Sequence, residues 1–318
     1  MPKISVIIPI YGVEKYIERC ARSLFEQTLD DIEYLFIDDC TPDRSIEILK
    51  QLIRLYPNRS SQVIIHRMDH NSGQAAVRKW GMQNATGDYV IHCDSDDWVD
   101  VNMYEQLYEC ARANNLDIVV SSYYITDCEQ MLIKPIYADS GDVHAFLSSC
   151  LIQKDSWALW NKLIKRTLYD TMQFIWPVSN MGEDCLMVVQ FLMNAQSIGY
   201  INRPLYYYYY NLSSISFAPG REKTLIRFNQ FYDNAEKLIH VIGAKGLINQ
   251  YKSELTCFAY YVKSYLAMYV DDGLIYRLWR DALKDYNKSV LCNNYISIFD
   301  KARYVLTVTR LYPYLKRI

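Results

Sequence analysis

Over roughly the first 120 residues, short β-branched runs alternate with segments of helical periodicity, and that alternation leaves few folds open. Ile4 to Ile8 is a continuous apolar run stopped by Pro9, the pattern of a buried strand. From Glu14 to Gln27, Tyr16, Ile17, Cys20, Ala21, Leu24 and Phe25 recur at helical spacing. Tyr34 to Ile37 reads as a second strand, and Ile46, Leu49, Leu52, Ile53 and Tyr56 as the next helical face. Val63 to His66, a helix running to Asn84, Tyr89 to Cys93, a helix from Asn102 to Asn114, and Ile118 to Ser122 continue the series. Such a series predicts βαβ units and a mostly parallel sheet with helices on both faces. Ligands of such sheets bind beyond the carboxyl ends of the strands. Two acid clusters, Asp38-Asp39 and Asp94 to Asp97, fall at two of those ends.

Beyond about residue 121 the pattern loosens. Asp142 to Gln153 and Asp184 to Asn194 read as helices, and Pro204 to Tyr210 as an aromatic strand or edge segment. From Glu222 onward the periodicity is mostly helical, as in Leu255 to Met268. A soft boundary is expected near 215–220, giving segments 1–120, 121–220 and 221–318. Half of the 318 residues are hydrophobic and the net charge is -2, which offers no global electrostatic case for nucleic acid. The nine cysteines form no CxxC pair, so neither zinc ligation nor a disulfide scaffold is indicated; they suit reduced thiols in a cytoplasm. The N-terminal apolar run is too short for a signal peptide, and no window approaches the roughly 20 apolar residues of a spanning helix.

Asp94-Ser95-Asp96-Asp97 places three carboxylates in four residues. They repel one another unless a cation or many donors neutralise them. Oxygen ligands select hard ions such as Mg²⁺ or Mn²⁺; the alternative is a solvated acidic turn capping the next helix. Asp39 is placed to accept a hydrogen bond from a ligand, whereas Asp43 or Thr41 suits a helix cap. Asn71-Ser72-Gly73 makes a turn, and Arg78 on the following helix suits phosphate oxygens or a structural pair with an aspartate. Gly182-Glu183-Asp184 opens a helix, where Asp184 is either a cap or an ionised general base.

These motifs occur in a recognisable order. Ser5 to Tyr11, Tyr16-Ile17, Ser23 to Thr28, Ile37 to Ser45, Asn71 to Gly73 with Arg78, and Gly87-Asp88-Tyr89 running into Asp94 to Asp97 resemble the inverting glycosyltransferases of family 2. Trp160 to Leu163, Gly182 to Asp184, and Pro204 to Tyr206 with Ser213 to Ser216 are similar to that family's bacterial polysaccharide branch. The resemblance implies the GT-A fold, a Rossmann-like mostly parallel sheet flanked by helices, with a mainly helical C-terminal region. It implies a nucleotide-sugar-binding half over 1–120 and an acceptor and catalytic half over 121–220. Pro9 and Tyr11 would line the nucleotide pocket and Asp39 would meet the base, usually uracil. Arg78 would lie near base and phosphates, with Asp94 and Ser95 beside the donor. Asp94 and Asp96 match the DxD acids, Asp96 being the main ligand of Mn²⁺ or Mg²⁺, and Asp184 matches the catalytic base. The implied partners are a UDP-sugar and a glycan or lipid-linked oligosaccharide acceptor.

Three positions depart from the family pattern. Lys79 stands where relatives carry Asn, Asn211 where they place Arg or His, and His92 where they place an apolar residue; His92 reads as a packing histidine. In the tail, Lys301, Arg303, Arg310, Lys316 and Arg317 interleave with Tyr304, Leu306, Leu311, Tyr312, Tyr314 and Leu315, which suits peripheral contact of 301–318 with the inner face of a membrane or an ordinary surface helix. A dinucleotide dehydrogenase is disfavoured because the first strand-to-helix turn offers only Gly12. A nucleotidyltransferase lacks its Gly- and Arg-rich loop, and a non-catalytic sugar-binding module is the reading from another class.

Overall fold

The structure, a computed structural model, describes residues 1–138, 140–170, 173–210 and 220–315. The chain forms two compact units, neither continuous in sequence: Met1–Ala145, Ala158–Val178 and Asn194–Asn211 make the first, and Phe146–Trp157, Ser179–Met193 and Leu212–Ile318 the second. Most of the boundary expected at 215–220 lies outside the described residues.

The elements in chain order are β1 (Ile4–Ile10), α1 (Ile17–Phe25), β2 (Ile32–Asp38), α2 (Ser45–Ile53), β3 (Val63–Arg67), α3 (Gln74–Asn84), β4 (Tyr89–His92), β5 (Trp98–Val99), α4 (Met103–Ala113), β6 (Ile118–Thr126) and β7 (Met131–Lys134). They continue with α5 (Val143–Leu151), β8 (Lys162–Lys165), α6 (Thr167–Asp170), α7 (Glu183–Asn194) and β9 (Ile198–Tyr209). The helices α8 (Arg221–Ala244), α9 (Lys252–Ser264), α10 (Gly273–Asp281), α11 (Ile298–Val308) and α12 (Tyr312–Leu315) follow.

All strands belong to one sheet in the first unit, ordered β3-β2-β1-β4-β8-β6-β9-β5, with β7 paired to β6. The β3-β2-β1-β4 half is parallel, as the alternation predicts, and β6 pairs parallel with β9. β8 runs antiparallel between β4 and β6, and β5 and β7 are antiparallel additions. The sheet is therefore mixed, and the antiparallel members are short pieces that the sequence pattern does not announce.

Core formation follows the helical spacing. α1 buries Ile17, Cys20, Ala21, Leu24 and Phe25, and α4 buries Met103, Tyr104, Leu107 and Ala111. Both contribute to one cluster with Ile4, Val6 and Ile8 of β1 and with Tyr34 and Phe36 of β2. Each such aliphatic side chain contributes about 1.5–3 kcal/mol by leaving water. On the other face α3 presses close enough to the sheet that a Cβ on Gly81 would stand 2.5 Å from the Ile7 side chain.

The second unit is helical. α8 buries Phe228, Phe231, Ala235, Leu238, Val241 and Ile242, and α9 buries Leu255, Phe258 and Val262. The turn before α7 lies directly on α8. Asn234 donates to the carbonyls of Ser179 (2.9 Å) and Met181 (2.8 Å). Gly182 there has φ +73°, and a Cβ would meet the Phe231 ring at 2.3 Å, so both conformation and contact demand glycine.

Candidate functional site

β2 and β4 pair with opposite edges of β1 and run parallel to it, so the segments after Asp38 and after His92 leave the same rim of the sheet. Tyr11, just past β1 on that rim, is 50% exposed, and Pro9 is half-buried. Asp38 is spent on structure: it accepts from Thr41 N–H (2.7 Å) and pairs with Arg67 (3.1 Å). Asp43 ties the start of α2, accepting from the hydroxyls of Thr41 and Ser45 and from the backbone of Glu14 and Ser45, and these bonds lower its pKa against the cost of burial.

Asp39 is buried, and its two carboxylate oxygens accept from the N–H groups of Ser72 (2.7 Å) and Gly73 (2.9 Å). The next residue along, Gln74, donates its side-chain amide to Asp94 (3.4 Å). One turn, held open by Gly73 at φ +81°, thus touches both acid clusters. A carboxylate has about four lone-pair positions, so Asp39 keeps acceptor capacity after bonding the turn.

Arg78 is buried and donates to Asp94 at 2.9 Å, which fits the structural pairing and also keeps its charge at this rim. Ser95 is buried. Asp97 is buried too, and accepts from the Tyr206 hydroxyl (2.7 Å) and from Tyr209 N–H (2.7 Å). The Tyr206 hydroxyl in turn accepts from Asp94 N–H (3.1 Å), so β9 clamps the acid loop from behind. Trp160 stacks on Tyr206 with centroids 4.2 Å apart. Burial, then the neighbouring Asp96 and Asp94, push Asp97 well above the usual carboxylate range.

Asp96 differs from its neighbours. Among the described residues its carboxylate has no side-chain partner, and burial followed by repulsion from Asp94 pushes its pKa up to about 6. Its carbonyl is held by Arg19 (2.8 Å), whose guanidinium lies 3.8 Å from the Trp98 ring centroid and 4.9 Å from that of Tyr209. Arg19 and Gln74 are supporting residues that the sequence patterns do not single out, whereas Tyr206 ends the Pro204 to Tyr206 motif.

A divalent ion fits this donor set. Asp96 is a crowded hard-oxygen ligand that a cation would relieve, and Asp94 stands beside it, already shared with Arg78. No group of three or more His, Cys, Asp or Glu side chains able to hold an ion occurs among the described residues, so an ion here would complete its shell with donor phosphates or water. His92 is fully enclosed, neither ring nitrogen has a hydrogen-bond partner, and burial with the nearby Arg78 holds its pKa well below the usual range. It is a neutral packing residue. Lys79 lies 5.7 Å from the Trp176 ring centroid, and Asn211 falls outside the described residues. Asp184 belongs to the second unit, in the first turn of α7, where one carboxylate oxygen accepts from Cys185 N–H (2.8 Å).

The model of Glycosyl transferase family 2 matches residues 5–183. Glycosyltransferase GlyA of Streptococcus pneumoniae is 32% identical over 225 residues, which are 67% of this chain and 31% of that protein. The uncharacterized glycosyltransferase EpsJ of Bacillus subtilis is 30% identical over 227 residues, 69% of this chain and 64% of that protein. The chain thus spans under two thirds of the length of these curated relatives. The crystal structure of S. aureus TarS 1-349 in complex with UDP superposes with a TM-score of 0.68 at 17% identity, covering 99% of this chain and 91% of that one, a likeness of fold.

Proposed function

Because the chain belongs to glycosyl transferase family 2 and carries its GT-A fold, we propose that it moves a sugar from a nucleoside diphosphate donor, a UDP-sugar, to a glycan or lipid-linked acceptor with inversion. The setting we infer is assembly of a bacterial cell-surface polysaccharide, at the cytoplasmic side of the membrane. One observation carries the reading: the turn at Ser72 to Gln74 contacts both Asp39 and Asp94, which supports a single ligand facing the two acid clusters. The UDP bound to the TarS structure supports a uridine donor.

In this reading Asp39 accepts from the base with the lone pairs left free by Ser72 and Gly73, and Tyr11 and Pro9 flank it. Arg78 neutralises Asp94, which lets Asp96 serve an ion without three bare charges in one loop. Sugar transfer passes through an oxocarbenium-like state, and a divalent cation held by Asp96 and Asp94 would supply charge compensation for the departing diphosphate. Asp184, ionised at the positive end of α7, takes the proton of the acceptor hydroxyl as that oxygen bonds the anomeric carbon and the diphosphate leaves from the opposite face.

The test is a thermal-shift screen of nucleoside diphosphate sugars with Mn²⁺, followed by transfer assays. Asp184→Asn should fold, bind donor and lose about 10²- to 10⁴-fold in transfer. Normal turnover in that variant removes Asp184 from the mechanism, and silence towards every nucleotide sugar removes the donor assignment.

A further inference from the structure

α11 packs on the helical unit in an orderly way. Thr307 is 1% exposed, and Tyr304 packs against the small cluster of Cys257, Val290 and Ile296 and lies 5.5 Å from the Trp279 ring. Arg303 donates to the Tyr260 hydroxyl (2.8 Å) and to Asp300 (2.7 Å). A helix buried on one side should turn polar residues to water on the other. Here the outward residues are apolar: Ile298 is 74% exposed, Phe299 84%, Val305 44% and Val308 41%, and beyond the helix Leu311 and Leu315 are exposed as well. Single exposed apolar residues are ordinary, but a run of them along one helix and its continuation is an unmatched surface.

Charge separates the same region from the rest of the chain. Residues 1–220 hold eighteen Lys and Arg against twenty-seven Asp and Glu, net -9, whereas 221–318 hold sixteen against nine, net +7. The overall -2 conceals this asymmetry. Arg310 is not part of the outward face: it donates to the carbonyls of Val270 (2.9 Å) and Asp271 (2.5 Å). With Arg303 also bonded to its own unit, the apolar side chains make the face and the positive charge belongs to the segment 221–318 as a whole. Lys316 and Arg317 lie outside the described residues.

From the outward apolar stripe and the positive segment together, we propose that α11 and α12 rest on an anionic lipid surface, Ile298 and Phe299 entering the boundary between headgroups and acyl chains. Apolar insertion and attraction to anionic headgroups act together in such contacts. Nucleic acid would match the charge but leave Ile298 and Phe299 in water. Among the described residues no helix is long and apolar enough to cross a membrane, so the contact lies on the surface. The proposal is independent of the donor chemistry.

The experiment is co-sedimentation of the full chain with phosphatidylcholine vesicles, with and without phosphatidylglycerol, across a salt series. Pelleting is expected only with phosphatidylglycerol and should weaken as salt rises. Ile298→Glu with Phe299→Glu should cut partitioning by about tenfold or more while the circular dichroism spectrum and melting temperature stay as in the parent. Phe299→Ser alone should give an intermediate loss. Absence of pelleting at low salt, or equal pelleting of the double variant, overturns the proposal. So does a dimer in light scattering that the double variant splits, which gives the face to a second copy, or displacement from vesicles by a single-stranded oligonucleotide.

Discussion

The two ends of the central strands treat carboxylates in opposite ways. At the end where β1 and β2 begin, Glu33 accepts from the Ser5 hydroxyl (2.5 Å), Thr86 N–H (3.0 Å) and the Thr86 hydroxyl (2.8 Å). The Ser5 oxygen accepts in turn from Gly87 N–H (2.8 Å), and a Cβ on Gly87 would lie 2.6 Å from Ser5 N. The Glu33 carboxylate and the Ser5 hydroxyl there both meet donors of the chain itself. At the far end, Asp94 and Asp97 have partners, but Asp96 is crowded and pushed up to about 6. Glu33 is matched by its own fold, whereas Asp96 is left in the state that an outside cation would relieve.

The contrast can be broken most sharply at Asp96. Asp96→Asn should lower transfer by about 10²- to 10³-fold and abolish any thermal shift caused by Mn²⁺. The same change should raise the melting temperature of the ion-free protein at pH 7. The carboxyl rises from 3.8 unfolded to about 6 folded, so between those values the native state holds more protons than the unfolded chain, and stability falls as pH climbs through that window. Above it the ionised group costs on the order of 1–3 kcal/mol. A lower melting temperature in the variant would place Asp96 with the architectural acids. Transfer should also show an acid limb near pH 6 that moves down as Mn²⁺ is raised, because proton and ion compete for one carboxylate.

Glu33→Ala tests the opposite end. It removes the acceptor of the buried Ser5 hydroxyl, while Thr86 N–H keeps Ser5 Oγ (3.1 Å), and should destabilise by about 1–3 kcal/mol in urea unfolding, with kcat/KM of the folded protein nearly unchanged. A selective loss of turnover would make Glu33 functional after all. The smallest effect is expected at Arg19, which holds the Asp96 carbonyl and whose charge lowers the Asp96 pKa. Arg19→Met should weaken Mn²⁺ binding about tenfold and shift the acid limb upward, measured by titration calorimetry and a pH profile; an unmoved limb would show that the loop keeps its shape unaided.

Much of this was legible before any coordinates. The β-branched runs of β1, β2 and β4 were legible because their residues are buried on both faces, a state that leaves a continuous apolar signature, whereas β3 stands at the sheet edge and is only half-buried. α7 begins at Glu183, as the Gly182-Glu183-Asp184 turn predicts. β8 was not legible as a strand: Lys162–Lys165 is four residues long with a lysine at each end, yet Lys162 is 1% exposed and bonded to the Ala158 carbonyl and Asn161. β7 is equally short, and all three of its apolar residues, Met131, Leu132 and Ile133, are exposed. Arg19 is hidden for a different reason, since its partner is 77 residues away and is a carbonyl rather than a side chain. The interleaving of the two units is set by contacts such as Asn234 with Ser179, which no local pattern encodes.

The hinge-like turn at Ser72 to Gln74 has a thermodynamic corollary. Its backbone is gripped by Asp39 and its amide side chain reaches Asp94 at 3.4 Å, so the two carboxylates share one three-residue connection. A nucleoside seated against the first would then change how strongly a cation is held beside the second. Linkage requires the reverse effect to be equal: whatever factor the nucleoside imposes on cation affinity, the cation imposes on the nucleoside.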